Sequence, residues 1–359
     1  MREKIRTIVA IVTGLWMVFM GSEGLSATPP PSPCVKTVVD RTGAQVCLPA
    51  AINRIVITCY GGASHEIALF GGSRKVVAQP SIDRFPLLAK IYENFVDVPD
   101  AGAFDNVNLE TILALQPDVV FAGIVSPQGN QRIRTLGIPV VVLGIGRADI
   151  DNLLKEFTMV GGILGAEETA AALVAYWNDR LSLIRNRLAS IPEEARKKVF
   201  YGTTGPPFRT EGGLWWGHHF IRAAGGINAA QEIKMRGGVT PEQLLLWNPD
   251  VIIITTNHSQ NRQGSGMVGD IRNHPKYRNI AAVKNNAMFA CPIGTFWWDR
   301  PSPEAILGIL WLAKTLYPRQ MEALSIKIET KRFFSRFYHY ALSDAEFNAF
   351  FSTVGKVNP

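Results

Sequence analysis

Residues 109–123 read LETILALQPDVVFAG, and residues 241–255 read PEQLLLWNPDVIIIT. Each copy has a Glu at the head of an apolar run with helical spacing, then Pro-Asp, then a run that is apolar throughout. Proline ends the helix, because its ring clashes with the preceding turn and it has no N–H to donate. The residues after it are free to enter a strand. A chain that repeats this helix–turn–strand unit is constrained to two similarly built halves.

The segments around the repeat extend that pattern. RIVITC, KVVA, VVFAG and VVVLG read as short buried strands separated by helical stretches such as GGASHEIALFGG. Strands without polar alternation, interleaved with helices, imply a parallel sheet covered on both faces. A second set follows: KKVFYGTT as a strand, HHFIRAAGG as a helix closed by a Gly pair, then the second repeat unit and MFACPIG. Between the sets, Leu173, Trp177, Leu181, Ile184 and Leu188 recur at helical spacing and predict a long connecting helix that Pro192 ends. The expected fold is α/β, with two Rossmann-like lobes of mainly parallel sheet, one long bridging helix and a ligand cleft between the lobes. Ligands in such sheets lie beyond the carboxyl ends of the strands. The expected boundaries are 28–52 for a linker and β-hairpin, 53–148 for lobe one, 149–192 for the connector, 193–318 for lobe two and 319–359 for a C-terminal helical extension. The extension, rich in aromatics at helical spacing, is expected to pack as a pair of helices.

The N-terminus reads as a targeting segment. MREKIR is basic, and TIVAIVTGLWMVFMG is too short an apolar run for a typical membrane span. Small residues at Gly24, Ser26 and Ala27 predict cleavage near Ala27, as in a secretory signal peptide spanning 1–27, with an uncleaved anchor as the alternative. The formal net charge of the whole chain is +7, which favours anionic ligands or surfaces. The Lys and Arg residues are scattered with no basic run, so nucleic acid is not an expected partner. In an exported chain Cys34 and Cys47, flanking a hairpin, are placed for a possible disulfide.

Taken in order, five features make the chain resemble the substrate-binding proteins of ABC importers for iron-siderophores, haem, cobalamin and related metal compounds. They are the hairpin before RIVITC; NLETILALQPDVV; GGILGAEETA opening the connector; RAAGGINAA followed by TPEQLLLWNPDVIII; and AAVKNNAMFA followed by WWDRPSPEAILGILWLAKTLYP. The resemblance implies a monomeric periplasmic receptor that holds its cargo between the lobes and passes it to a permease of two transmembrane and two ATPase subunits. It implies no catalytic cofactor. In the cobalamin-binding member, a surface Glu on each lobe docks onto the permease from segments matching those around Glu110 and Glu242. Each Glu also suits the first turn of a helix.

The expected ligand contacts sit at strand ends and in two Trp-rich loops. Tyr60 follows the first strand. Arg209, in FRTEGGLWWGHHF, is placed to pair with an anionic ligand, and Trp215 and Trp216 to form an apolar wall. His258 follows the second repeat's strand. Trp297, Trp298 and Arg300 precede a helix; Arg300 either contacts ligand or pairs with Asp299 or Glu304. Arg84 and Arg147 are weaker candidates. Cys59 and Cys291 suit small buried residues better than soft-metal ligands. The expected cargo is an iron-siderophore or related chelate. Molybdate or tungstate, cobalamin, haem and a nickel or cobalt chelate are the alternatives. A secreted metal-dependent enzyme is disfavoured: neither HExxH nor GxSxG occurs, and the six His are mostly isolated.

Overall fold

In the computed structural model, residues 34–60, 62–204, 208–255 and 271–351 are described. The expected export segment, the linker up to residue 33 and His258 lie outside them.

The chain enters through an antiparallel hairpin of β1 (Lys36–Val39) and β2 (Gln45–Leu48). Asp40 shapes its turn, since Oδ1 accepts the N–H groups of Thr42 and Ala44. Cys34 and Cys47 are disulfide-bonded across its base, with Cα atoms 5.4 Å apart.

Lobe one follows with β3 (Ile55–Ile57), α1 (Ala63–Leu69), β4 (Val76–Ala78), α2 (Pro86–Ile91), the short pair β5 (Gly102–Ala103) and β6 (Asn106–Val107), α3 (Leu109–Ala114), β7 (Val119–Gly123), α4 (Pro127–Arg134) and β8 (Val140–Leu143). Its sheet is parallel, in the order β4-β3-β7-β8. The hairpin turn covers the β8 edge: Arg41 donates its N–H to the Val142 carbonyl, and the Val142 N–H goes to Asp40. An edge strand is thereby closed to other pairing.

The connector is two helices, α5 (Ile150–Leu164) and α6 (Glu167–Arg187), rather than one continuous rod. Gly165 ends α5 in the left-handed conformation at φ 73. The helices then fold back closely; a Cβ on Gly161 would lie 2.4 Å from that of Ala170. Only α6 has the expected length of the bridge.

Lobe two contains β9 (Lys198–Thr204), β10 (Phe208–Glu211), α7 (Trp216–Ala223), β11 (Ile227–Asn228), β12 (Arg236–Val239), α8 (Pro241–Trp247), β13 (Val251–Ile254), α9 (Ala281–Lys284), β14 (Met288–Ala290) and α10 (Ala305–Leu316). Its sheet runs β12-β10-β9-β13-β14, with β11 beside β9. The pairs of β10 with β9 and with β12 are antiparallel, an excursion the expected parallel sheet did not include.

The repeated unit has the same geometry in both lobes. Gln116 (φ 44) and Asn248 (φ 42) leave their helices in the left-handed region, and Pro follows each. Asp118 then accepts the N–H groups of Asn53 and Arg54 at the head of β3, as Asp250 accepts that of Lys198 at the head of β9. The Pro-Asp pair therefore starts one strand and pins its neighbour, which accounts for its recurrence in the sequence.

The extension forms α11 (Ile326–Phe333), a π-type turn over Phe334–Tyr338, and α12 (Asp344–Ala349). It packs against both lobes. Lys90 of lobe one pairs with Glu346 at 2.8 Å, while Phe350 and Phe351 meet the ring of Trp298 in lobe two.

Candidate functional site

Among the described residues, the lobes meet at two places beyond their strand ends. At the first, α1 opens after β3. Burial lowers the pKa of His65 to about 4, although its bond to Thr295 opposes this. The neutral ring donates its Nε2–H to the Thr295 carbonyl of lobe two at 2.7 Å. Around it Phe85 lies 5.1 Å from Phe296 and 4.8 Å from Trp297, ring centre to ring centre. Gly62 (φ 94) lies so close to the Pro301 carbonyl that an added Cβ would be 2.5 Å from it.

A shallow pocket opens beside this contact, lined by Tyr60, Ser64, Ser81 and Phe296 among others. Tyr60 is partly exposed there and tilted against Phe104. Burial and then Asp100 raise its pKa, with Arg84 opposing, so the phenol stays protonated and is a hydrogen-bond donor.

At the second place, Trp215 of lobe two lies over the backbone of lobe one. A Cβ on Gly146 would come within 2.8 Å of its ring. The Arg236 guanidinium stacks on the indole at 4.0 Å, and that of Arg147, from lobe one, lies 5.8 Å from it. Two cations on one indole are tolerable because each faces the ring's negative quadrupole and Arg236 is also ion-paired. Its partner is Glu211, buried, which accepts from both Nε and Nη2 of Arg236 and from Nη1 of Arg300. The second Glu211 oxygen accepts the Gly217 N–H at 2.8 Å.

Arg300 is therefore held in a network rather than free. It donates to Tyr201 at 2.9 Å and Thr255 at 3.3 Å besides Glu211. Burial opposes its charge, yet Tyr201, Asp299 and Glu211 hold its pKa above the ordinary guanidinium value. Burial raises the pKa of Asp299, with Arg300 opposing. The expected alternative partner, Glu304, is engaged elsewhere, accepting from Thr295 and from the Trp298 indole.

Arg209 differs from these. It precedes Glu211 by two residues on β10, where the register with β9 shifts between Arg209 and Thr210. The residue opposite it on β12 is Gly238. Its side chain is exposed and, among the described residues, makes no ion pair. Arg147, Arg236 and Arg300 thus gather around Trp215 and Glu211, with Arg209 exposed two residues along β10 from Glu211.

The four tryptophans separate. Trp215 and Trp297 lie where the lobes meet. Trp216 and Trp298 are wholly buried, and both pack within the main core. All four are buried, Trp215 and Trp297 keeping 8% exposure, and Trp297 packs in the same core. Adjacent residues point in different directions, so only one member of each could reach the cleft. Arg236, Glu211, Tyr201 and Gly146 were not singled out from sequence; the alternation in FRTE was the available signal. Cys59 and Cys291 are buried, and burial raises both thiols well above their ordinary pKa. Among the described residues no group of three or more His, Cys, Asp or Glu side chains is placed to hold a metal.

The expected docking residues are exposed, each in the first turn of its helix. Asn108 caps α3 by accepting the Thr111 N–H, and Thr240 caps α8 by accepting that of Gln243. Glu242 also pairs with Lys276 at 3.7 Å.

A family model described as periplasmic binding protein matches residues 56–293. A molybdate-binding protein of Haemophilus influenzae is 24% identical over 327 residues, covering 84% of this chain and 91% of the relative. A vitamin B12-binding protein of Vibrio parahaemolyticus is 24% identical, covering 68% and 83%. Among solved structures, a periplasmic solute-binding protein of Veillonella parvula has a TM-score of 0.73 at 28% identity, covering 88% of this chain and 96% of its own. The molybdate-bound Haemophilus protein has a TM-score of 0.75 at 24% identity, covering 86% and 99%.

Proposed function

This chain belongs to the periplasmic binding protein family, and from that premise we propose that it captures a small oxyanion of the molybdate class between its lobes. It is a substrate-binding protein of an ABC importer and not an enzyme. The oxyanion reading replaces the iron-siderophore chelate as first choice of cargo.

The observation that carries it is the cationic face around Trp215. Arg209, exposed and without an ion-pair partner among the described residues, lies two residues along β10 from Glu211, which orients the Arg236 and Arg300 guanidinium groups. Planar guanidinium forks match an oxyanion's geometry, and preordering them leaves less entropy to lose on binding. The pocket at Tyr60 is small, and its phenol is a donor. A ferric chelate that used Tyr60 as a ligand would have to displace a proton that burial holds in place. The relative that binds molybdate spans most of this chain, which supports the same reading.

Delivery to the permease is proposed to use Glu110 and Glu242. Both are exposed, and each helix also exposes leucine a turn further on: Leu113 on α3, Leu245 and Leu246 on α8. A carboxylate beside an exposed apolar residue on each lobe suits a two-fold partner with basic residues. The double variant Glu110→Ala with Glu242→Ala is expected to bind cargo normally and fail in uptake; full uptake by that variant sinks the docking role.

Titration calorimetry with molybdate, tungstate, sulfate and a ferric siderophore tests the cargo. Arg209→Ala is expected to weaken molybdate binding by about 1.5–3 kcal/mol, the worth of a charged hydrogen bond. Tight siderophore binding with no response to molybdate would reject the oxyanion assignment.

A further inference from the structure

A recess lies where the extension meets α6, away from the interlobe residues. Arg180, Arg187 and Arg332 supply its charge, and Leu183, Leu324 and Ile328 much of its apolar surface. We propose that this recess is a second binding site, taking a phosphate-headed amphiphile.

Charge is the first support. The one acid lining the recess, Glu329, is already engaged: it accepts from Tyr176 at 3.0 Å and pairs with Arg180 at 3.5 Å and Arg332 at 2.5 Å. Asp179, outside the recess, takes the remaining Arg180 contact at 3.0 Å. Arg187 has no ion pair among the described residues and lies free at the rim. Three guanidinium groups against Glu329 and the flanking Asp179 leave the recess cationic by the one charge of Arg187. The Arg180 Nε is buried and has no hydrogen-bond partner, an unmet donor facing no other acceptor among the described residues.

Shape and polarity are the second. Ile328 is 58% exposed, a β-branched apolar side chain left in water beside two arginines. A simple anion would leave that surface wet. An amphiphile places its head on the guanidinium forks and its chain along Leu183, Leu324 and Ile328, removing both mismatches at once. Arg180 is also fixed for this: it stacks on the Tyr176 ring at 5.1 Å, so its fork is oriented before any ligand arrives. The same head group could come from a soluble phosphate ester or from a phospholipid surface.

The test uses the full-length processed protein and three probes: inorganic phosphate, monomeric hexyl phosphate, and vesicles of phosphatidylglycerol in phosphatidylcholine. Binding is read by calorimetry for the small probes and by co-sedimentation for vesicles, with Arg187→Glu as the variant. Among the described residues Arg187 makes no ion pair and lies in the last turn of α6, so the variant is expected to stay folded, with a slightly lower thermal midpoint, and to keep its molybdate affinity. Saturable hexyl phosphate binding, about tenfold tighter than inorganic phosphate and weakened at least about tenfold by Arg187→Glu, upholds the proposal with a soluble source. Vesicle binding alone, lost in the same variant, upholds it with a membrane source. Binding of neither, or binding that Arg187→Glu leaves unchanged, overturns it.

Discussion

Replacing Glu156 by Gln tests the acid pair buried in lobe one. Glu156 on α5 and Glu66 on α1 are both buried, and Glu66 Oε1 has no hydrogen-bond partner. Glu156 accepts the Gly144 N–H at 2.6 Å, and its nearest cation, Arg41, is 4.0 Å away. Burial raises the pKa of Glu156 from 4.5 to about 7, with the Gly144 bond and Arg41 opposing; burial, then the charge of Glu156, raises that of Glu66. The folded state therefore holds protons that the unfolded state releases between these values. Stability from this source is full below about pH 4.5 and is lost as pH rises through about 7. From 4.5 to about 7, at about 1.4 kcal/mol per pH unit, the linkage amounts to about 3 kcal/mol. His65 works in the opposite direction. Its pKa is lowered, so its contribution falls with acidification through about pH 6.5 to 4. The raw pH profile of the wild type mixes the two, and the variant separates them. Urea unfolding of both proteins from pH 4.5 to 8 is expected to show Glu156→Gln gaining about 3 kcal/mol relative to wild type across that range, because an amide carries no proton to lose. Parallel stability curves for the two proteins would refute the assignment.

Three further outcomes follow from single contacts. Glu211→Ala leaves Arg300 and Arg236 without their shared carboxylate, and the loss of a buried ion-pair partner is expected to cost about 3–5 kcal/mol in chemical denaturation; a change below about 1 kcal/mol would mean that water already screens the network. Gly146→Ala sets a methyl group where the Trp215 ring lies and is expected to weaken cargo affinity about tenfold while changing the intrinsic tryptophan fluorescence; unchanged affinity by calorimetry would place Trp215 outside the cleft's closure. Cys34→Ser opens the hairpin's disulfide, whose cysteines are 13 residues apart, and is expected to lower stability by about 3 kcal/mol with cargo affinity unchanged, read by thermal unfolding and calorimetry.

Much of the fold was readable because its signals are local and repeated. The Pro-Asp unit showed where helices stop and strands begin, and the structure gives Asp118 and Asp250 the same task in each lobe. The antiparallel excursion of β10 and β12 was not readable, because its strands are short and the pairing of Glu211 with Arg236 is non-local. The site was legible by segment and less so by residue. Both Trp-rich loops reach the interlobe region, but which member of WW faces it depends on backbone direction at a strand end. Arg300 was seen as either ligand contact or ion-pair partner; its buried partner Glu211 lies 89 residues away in sequence, beyond the reach of any local pattern. Gly146 had no signature of its own, since its need for a missing side chain arises only when Trp215 arrives from the other lobe.

Elemental analysis of the protein purified from its native host, with native mass spectrometry of the same sample, tests the cargo most directly. The oxyanion account predicts molybdenum or tungsten near one atom per chain, with no organic mass beyond the oxyanion. Iron accompanied by an organic chelator of several hundred daltons would contradict it.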